Sequence, residues 1–255
     1  MKQPTRRTVL GTLAIAGAVI LSACGASGGS DAGKDAKDTT TAVKTTTTTK
    51  APATTTTVVS AEAQARADSV DLTVSDFPDG WTASAPSPDD PNNPLKACDP
   101  TFRDDSTKLA KHSTDDFTLG SLDASDGTQF SAETVVFASE ADADAAVEVF
   151  NDPKVISCLD AALKKTFEGA AAGVTVTGSL ADAQVDLPTD NEAAVTAPYE
   201  ISAPDGSKLT ASVRILAMRT GDIATMVTIL TVGDSLDPTT LKAPVTTLAN
   251  LQAAA

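Results

Sequence analysis

His112 is the only histidine in the chain. It lies in Lys111-His112-Ser113-Thr114-Asp115-Asp116, so a hydroxyl, an imidazole and two carboxylates fall close together in sequence. A Ser–His–Asp hydrolase needs those groups in a fixed geometry, with the nucleophile raised on a sharp strand-to-helix turn. No such turn stands near His112. The one G-x-S-x-G match, Gly25-Ala26-Ser27-Gly28-Gly29, follows a cysteine and opens a Gly/Ser-rich stretch rather than a strand and a helix. Gly28 to Lys34, which fits most of a phosphate-binding loop, fails for the same reason. His112 is therefore expected to be a solvent-exposed bystander in a polar loop, and no catalytic residue is assigned.

The 34 Asp and Glu residues are the other source of chemistry. Asp89-Asp90, Asp104-Asp105 and Asp115-Asp116 could offer oxygens to calcium, but no D-x-D-x-D-G loop accompanies them, and solvated acidic loops are the plainer reading. Two carboxylates brought together could hydrolyse a glycoside. With so many acids, chance pairs are inevitable and the sequence nominates none, so a carboxylate-based hydrolase stays an alternative. Three cysteines without a C-x-x-C pair, beside one histidine, exclude the ordinary zinc and iron–sulfur arrangements, and no cofactor or metal is expected. Trp81, the only tryptophan, follows the turn Phe77-Pro78-Asp79-Gly80. It is the candidate ligand-binding residue, a ring on which a sugar could stack; the alternative place for it is the rim of the core.

Three segments must position these groups. Lys2, Arg6 and Arg7 precede an apolar run from Val9 to Ile20 that is too short to span a bilayer. Leu21-Ser22-Ala23-Cys24 then resembles the bacterial lipobox. That resemblance implies that residues 1–23 are a lipoprotein signal peptide, that the Cys24 thiol receives a diacylglycerol, and that the new amino terminus is open to acylation by a palmitate-type chain. Thr5-Arg6-Arg7-Thr8-Val9-Leu10 is similar to a twin-arginine export signal, although Val9 stands where a larger apolar residue is commoner; a plain charged segment is the alternative. Each buried methylene contributes about 0.8 kcal/mol, so two or three acyl chains anchor a protein without a membrane helix. The implied partner is the lipid bilayer, through Cys24, and the implied location is the outer face of the cytoplasmic membrane.

Residues 24–66 read as a disordered tether. Twelve threonines lie between Asp38 and Val58, broken by Lys44, Lys50 and Pro52, with almost no large apolar side chain to offset backbone entropy. Such a tract resembles an O-glycosylated stalk, the alternative being an unmodified spacer. As a random coil its ~40 residues would span on the order of 35 Å.

Residues 67–255 read as the extracytoplasmic domain. They hold 11 Lys and Arg against 30 Asp and Glu, a net charge of −19, and this acidity excludes nucleic acid as a partner. Ala61–Arg66 reads as a short helix, Val70–Val74 as a strand, residues 85–95 as a proline-rich loop, and Gln129–Ala138 as a strand with apolar residues on both faces. Ser139 caps a helix carrying Ala143, Ala146, Val147 and Phe150, and a second helix runs from Pro153 to Gly169. Val174–Gly178 and Ala183–Leu187 are short strands or one bent strand. Ala193–Ala203 and Leu209–Met218 flank the turn Pro204-Asp205-Gly206, and Ile223–Val232 follows a second turn. A C-terminal helix begins near Asp237-Pro238, with a kink or restart at Pro244. Helices before and after a run of hairpin-linked strands predict an α+β fold, a twisted antiparallel sheet covered by helices. In an exported domain Cys98 and Cys158 are expected to bond, closing a loop of about 60 residues and contributing roughly 4 kcal/mol; two free thiols are the alternative.

The layout of lipobox, Thr-rich stalk, Pro78-Asp79-Gly80-Trp81 turn, acidic proline-rich loop and strand–helix–helix–strands–helix order resembles actinobacterial lipoproteins. Among them are domains like the extracellular sensor of mycobacterial Ser/Thr kinases and the Mog1/PsbP-like group. The kinase sensor carries two disulfides beside a cleft; this chain can make one, so that cleft is not carried over. The resemblance implies a binding or sensing module for an envelope ligand rather than an enzyme, with a protein-interaction or assembly role in the envelope as the alternative.

Overall fold

The computed structural model describes residues 60–88, 94–99, 105–122, 126–169, 172–233 and 238–255. The signal peptide, Cys24, both glycine motifs, the threonine tract, Asp89-Asp90 and Asp104 lie outside the described residues. In chain order the elements begin with α1 (Ala61–Ser69), β1 (Trp81–Ser84), α2 (Pro94–Cys98), β2 (Lys108–Ser113), β3 (Asp116–Ser121) and β4 (Asp126–Phe137). Two helices follow, α3 (Glu140–Glu148) and α4 (Pro153–Gly169), then β5 (Thr175–Thr177) and β6 (Ala181–Ala183). The chain ends with β7 (Asn191–Ser202), β8 (Lys208–Thr220), β9 (Ile223–Val232) and α5 (Lys242–Ala254).

The four long strands make the middle of one antiparallel sheet in the order β4-β9-β8-β7. β7, β8 and β9 form a meander. The β7–β8 turn carries Gly206 and the β8–β9 turn Gly221, both at positive φ, which an L side chain adopts only with strain. β3 and β2 lie in turn along the outer edge of β4, with β1 beyond β3; β5 and β6 do the same along β7. Short, broken edge strands limit the run of unpaired backbone offered to another chain.

Strand alternation divides the core into two layers. On one face Val195, Tyr199, Val213 and Ile215 share a cluster with Val147 of α3 and with Leu159, Leu163 and Phe167 of α4. The α4 residues recur every three or four positions, the stripe expected of a helix lying on a sheet. On the other face Leu216, Met218, Val227 and Phe130 meet Val245, Leu248 and Ala249 of α5. The predicted α+β sheet is therefore present, and helices cover it on both faces. Ser139 caps α3 by accepting the Asp142 N–H at 3.2 Å.

Several local expectations change. Ser60 to Arg66, assigned to the tether by composition, belong to the fold: Ser60 caps α1, and Ala63 and Ala67 are buried in a small cluster with Ala110, Val136 and Ile223. Val70–Val74 is not a strand. Asp71 accepts the Leu72 N–H and Asp76 accepts the Thr73 N–H, so local side-chain bonds take the backbone donors a ladder would have used. Val70 and Leu72 are still buried, which explains their apolar alternation. The restart expected near Pro244 is present: a 3-10 segment, Pro238–Leu241, gives way to α5 at Lys242, and Pro244 falls in the first turn of α5, where a backbone N–H has no helical partner to lose. β2 and β3 replace the polar loop expected around His112.

Candidate functional site

Between β2 and β3 the chain leaves the edge of β4 for two residues. Thr114 fills the gap: its N–H donates to the Ala132 carbonyl at 3.0 Å, and its Oγ1 accepts the Ala132 N–H at 3.2 Å. Helices α3 and α4 pack on β7, β8 and the Val135–Phe137 end of β4. Beside this break lies a shallow, open recess whose lining includes Pro86, Thr114, Asp116, Ser131, Glu133 and Thr228. Two carboxylates stand in its wall, Asp116 and Glu133, each 7% exposed.

Their partners define what the cleft can do. Ser87 donates to Asp116 Oδ2 from its backbone N–H at 3.1 Å and from its hydroxyl at 2.6 Å, so Asp116 ties the loop after β1 to β3. Lys111 Nζ lies 3.6 Å from Glu133 Oε2. The cleft is thus small, rich in acceptors and hydroxyls, and suited to a hydroxyl- or amine-bearing group rather than an apolar one. Asp115 turns away and is exposed, so the Asp115-Asp116 pair does not converge on a cation. Among the described residues no three His, Cys, Asp or Glu side chains are arranged to hold a metal.

The other candidates fall elsewhere. Trp81 is 6% exposed and belongs to the core, its ring centroid 4.8 Å from that of Phe77, which in turn stacks on Phe117 at 4.4 Å. The turn before it points the indole inward, and the ring offers no face to a ligand. Cys98 and Cys158 form a disulfide, with their Cα atoms 5.6 Å apart, joining α2 to α4 and holding the fully buried Leu95 against the core. His112 is no bystander. Its side chain is 24% exposed, with Nδ1 3.3 Å from Asp68 Oδ1 and Nε2 3.2 Å from Asp71 Oδ1.

Two further groups gave no signal in sequence. Asp160 of α4 accepts the Tyr199 hydroxyl and the Leu180 N–H, both at 2.8 Å, and pairs with Lys164 at 2.7 Å. Burial alone would raise the Asp160 carboxyl, but the bonds from Lys164, Leu180 and Tyr199 together hold it below its ordinary value. Burial, reinforced by the neighbouring carboxylate, pushes the Tyr199 phenol well above its ordinary range. Glu133 did leave a trace: it is an acid at the middle of a strand flanked by apolar residues on both faces.

No family model matches the chain. No curated protein matches it either. Solved structures show weak similarity to the chain. The extracellular domain of PknH from Mycobacterium tuberculosis has a TM-score of 0.39 at 11% identity, over 74% of this chain and 96% of that one. LpqN, involved in cell envelope biogenesis of Mycobacterium tuberculosis, has a TM-score of 0.28 at 11% identity, over 70% and 78% of the two chains.

Proposed function

We propose that the chain is a non-enzymatic lipoprotein of the cell envelope. It is exported, cut before Cys24, lipidated on that sulfur, and held on the outer face of the cytoplasmic membrane. Residues 24–59 serve as the tether, and the domain binds a small polar envelope ligand in the Asp116/Glu133 cleft. The disposition of cysteines carries this reading. Two of the three are joined as Cys98–Cys158, a bond that persists in oxidising compartments, and the third stands in Leu21-Ser22-Ala23-Cys24. The binding role rests on the polar recess with Asp116 and Glu133 buried in its wall. A partner-docking role has less support: among the described residues Val74, at 45% exposure, is the only large apolar side chain in the open.

Metabolic labelling with an alkyne fatty acid and membrane fractionation test the anchor. The native chain should be labelled and membrane-bound, and Cys24→Ser unlabelled and released; a Cys24→Ser chain that stays quantitatively in the membrane overturns it. A thermal-shift screen of envelope metabolites on the released form tests the cleft. A ligand whose shift survives both Glu133→Gln and Thr228→Val binds elsewhere and removes the cleft from the proposal.

A further inference from the structure

The polar recess opens on one face of the sheet, and a second polar patch lies on the other. Alternation along β8 sets Met218, Leu216, Arg214, Ser212 and Thr210 on the face that α5 covers. Met218 and Leu216 are buried, Arg214 and Ser212 are half-buried and Thr210 is exposed, so the cover runs out along the strand at Arg214. The register sets Thr196 of β7 and Ile229 of β9 opposite Arg214, with Pro198 and Thr231 opposite Ser212. None of these carries a charge. Ser131 and Thr228, which line the recess, alternate with the residues of this face and lie on the other side of the sheet.

Arg214 stands apart from the other arginines of the domain. Arg66 is held by Asp222 at 2.6 Å, and Arg219 by Asp144 at 3.0 Å. Among the described residues the Arg214 guanidinium has neither an ion-pair nor a hydrogen-bond partner, and the Ser212 hydroxyl has none either. Residues 67–255 hold 30 acids against 11 bases, so a cation left unopposed is the exception in this domain. The acids of β7 on this face, Glu192 and Glu200, each stand four residues from Thr196 and are engaged elsewhere. Glu200 is taken by Lys208 at 2.7 Å, and Glu192 accepts the Leu187 N–H at 3.0 Å.

We infer that Arg214 and Ser212 form a receptor for one oxyanion, a carboxylate or phosphate group carried by a small ligand. A guanidinium offers parallel N–H donors in a planar fork that matches two oxygens of such a group. Ser212, two residues along the same strand face and about 7 Å away at Cα, supplies a third donor within the span of the bound group. The neighbouring hydroxyls are already used: Thr196 donates to the Val213 carbonyl at 3.3 Å, and Thr231 is bonded to Thr128 at 3.1 Å. The occupant is a single anionic group rather than a bilayer surface, because a domain of net charge −19 is repelled by anionic lipid and one guanidinium does not offset that. The receptor is separate from the recess and does not depend on ligand binding there.

Nuclear magnetic resonance on the full-length chain in nonionic detergent tests this. Sodium phosphate and sodium acetate are titrated separately, with ionic strength held constant by sodium chloride. The Nε–H signal of Arg214, assigned by its loss in Arg214→Gln, should move saturably with at least one of the two anions. The anion that saturates identifies the group. Binding should weaken about tenfold in Arg214→Lys, which keeps the charge and loses the fork, and about threefold in Ser212→Ala. The Thr196 and Ile229 amides should respond in the native chain and stay still in Arg214→Gln. An unsaturating drift with both anions, or an amide response that persists in Arg214→Gln, overturns the receptor. Phosphatidylglycerol doped into the micelles is the last arm: an Arg214 response to it, with both free anions inert, overturns the assignment to a small ligand.

Discussion

Removing the carboxylate of Asp160 should cost this domain about 3 kcal/mol, through what it strands more than through what it deletes. Tyr199 is completely buried, and its hydroxyl donates to Asp160 Oδ1 at 2.8 Å. The Leu180 N–H uses the same oxygen. In Asp160→Ala both donors stay buried near an apolar methyl, and a stranded buried polar group costs about 1–3 kcal/mol. The Lys164 pair, an i,i+4 contact at the helix surface with its ammonium partly exposed, adds less. For a domain of roughly this size, each kcal/mol moves Tm by about 2–4 °C, so a fall of about 6–12 °C is expected. Tyr199→Phe should cost only about 1 kcal/mol, because its ring remains packed beside Phe167, with centroids 5.6 Å apart. Denaturant titration of both single variants and the double variant then closes a cycle. The double variant should be about 1 kcal/mol more stable than the sum of the singles predicts, since one change removes the hydroxyl the other would strand. Strict additivity, or an Asp160→Ala variant within about 0.5 kcal/mol of native, would refute the buried tie between α4 and β7.

The same carboxylate, with Asp222, sets the acid limit. Arg66 holds the Asp222 carboxyl below its ordinary value, and Asp160 is also depressed. The stability they contribute is present above about pH 4 and is lost as pH falls through the depressed folded values; Asp160→Asn and Asp222→Asn should each flatten the fall of Tm below pH 4. Reducing Cys98–Cys158, or replacing both cysteines by serine, should lower unfolding free energy by roughly 4 kcal/mol at fixed pH, checked by urea titration. Gly178→Ala should be strongly destabilising, because Gly178 has φ of 114° and an added Cβ would lie 2.2 Å from the Pro198 carbonyl oxygen; a Tm within 2 °C of native would contradict this. Trp81→Phe should leave any ligand-induced thermal shift intact while lowering Tm, since the indole belongs to the core and not to the cleft.

Elements were readable from sequence wherever one periodicity ran unopposed. The α4 stripe from Val155 to Phe167, the turn at Pro204-Asp205-Gly206 and the β-branched run of β9 each express one local rule, and each is present where expected. β2 and β3 were hidden because polar residues occupy at least half their positions: β2 is an edge strand, where solvent tolerates Lys and His, and β3 is flanked only by the short β1 on its outer side. Val70–Val74 failed for the opposite reason, since burial of Val70 and Leu72 mimics a strand while Asp71 and Asp76 satisfy the backbone locally. The cleft depends on where β2 ends and β3 begins against β4, and the approach of His112 to Asp68 and Asp71 joins residues more than forty positions apart in the chain. Neither is a pattern within one window. The carboxylates of the cleft were lost among 34 acids, although Glu133 could have been singled out as a charge inside an otherwise apolar strand.

The central ladder joins distant parts of the polypeptide. Thr134 meets Thr225 and Thr128 meets Thr231, separations of 91 and 103 positions, with both covering helices of one face inserted between. A ribosome must therefore deliver nearly the whole domain before β4 finds its second neighbour, and until then one flank of a twelve-residue strand is bare. Fragments ending before Val232 should behave as sticky intermediates for chaperones and proteases, and the molecule matures all at once or not at all.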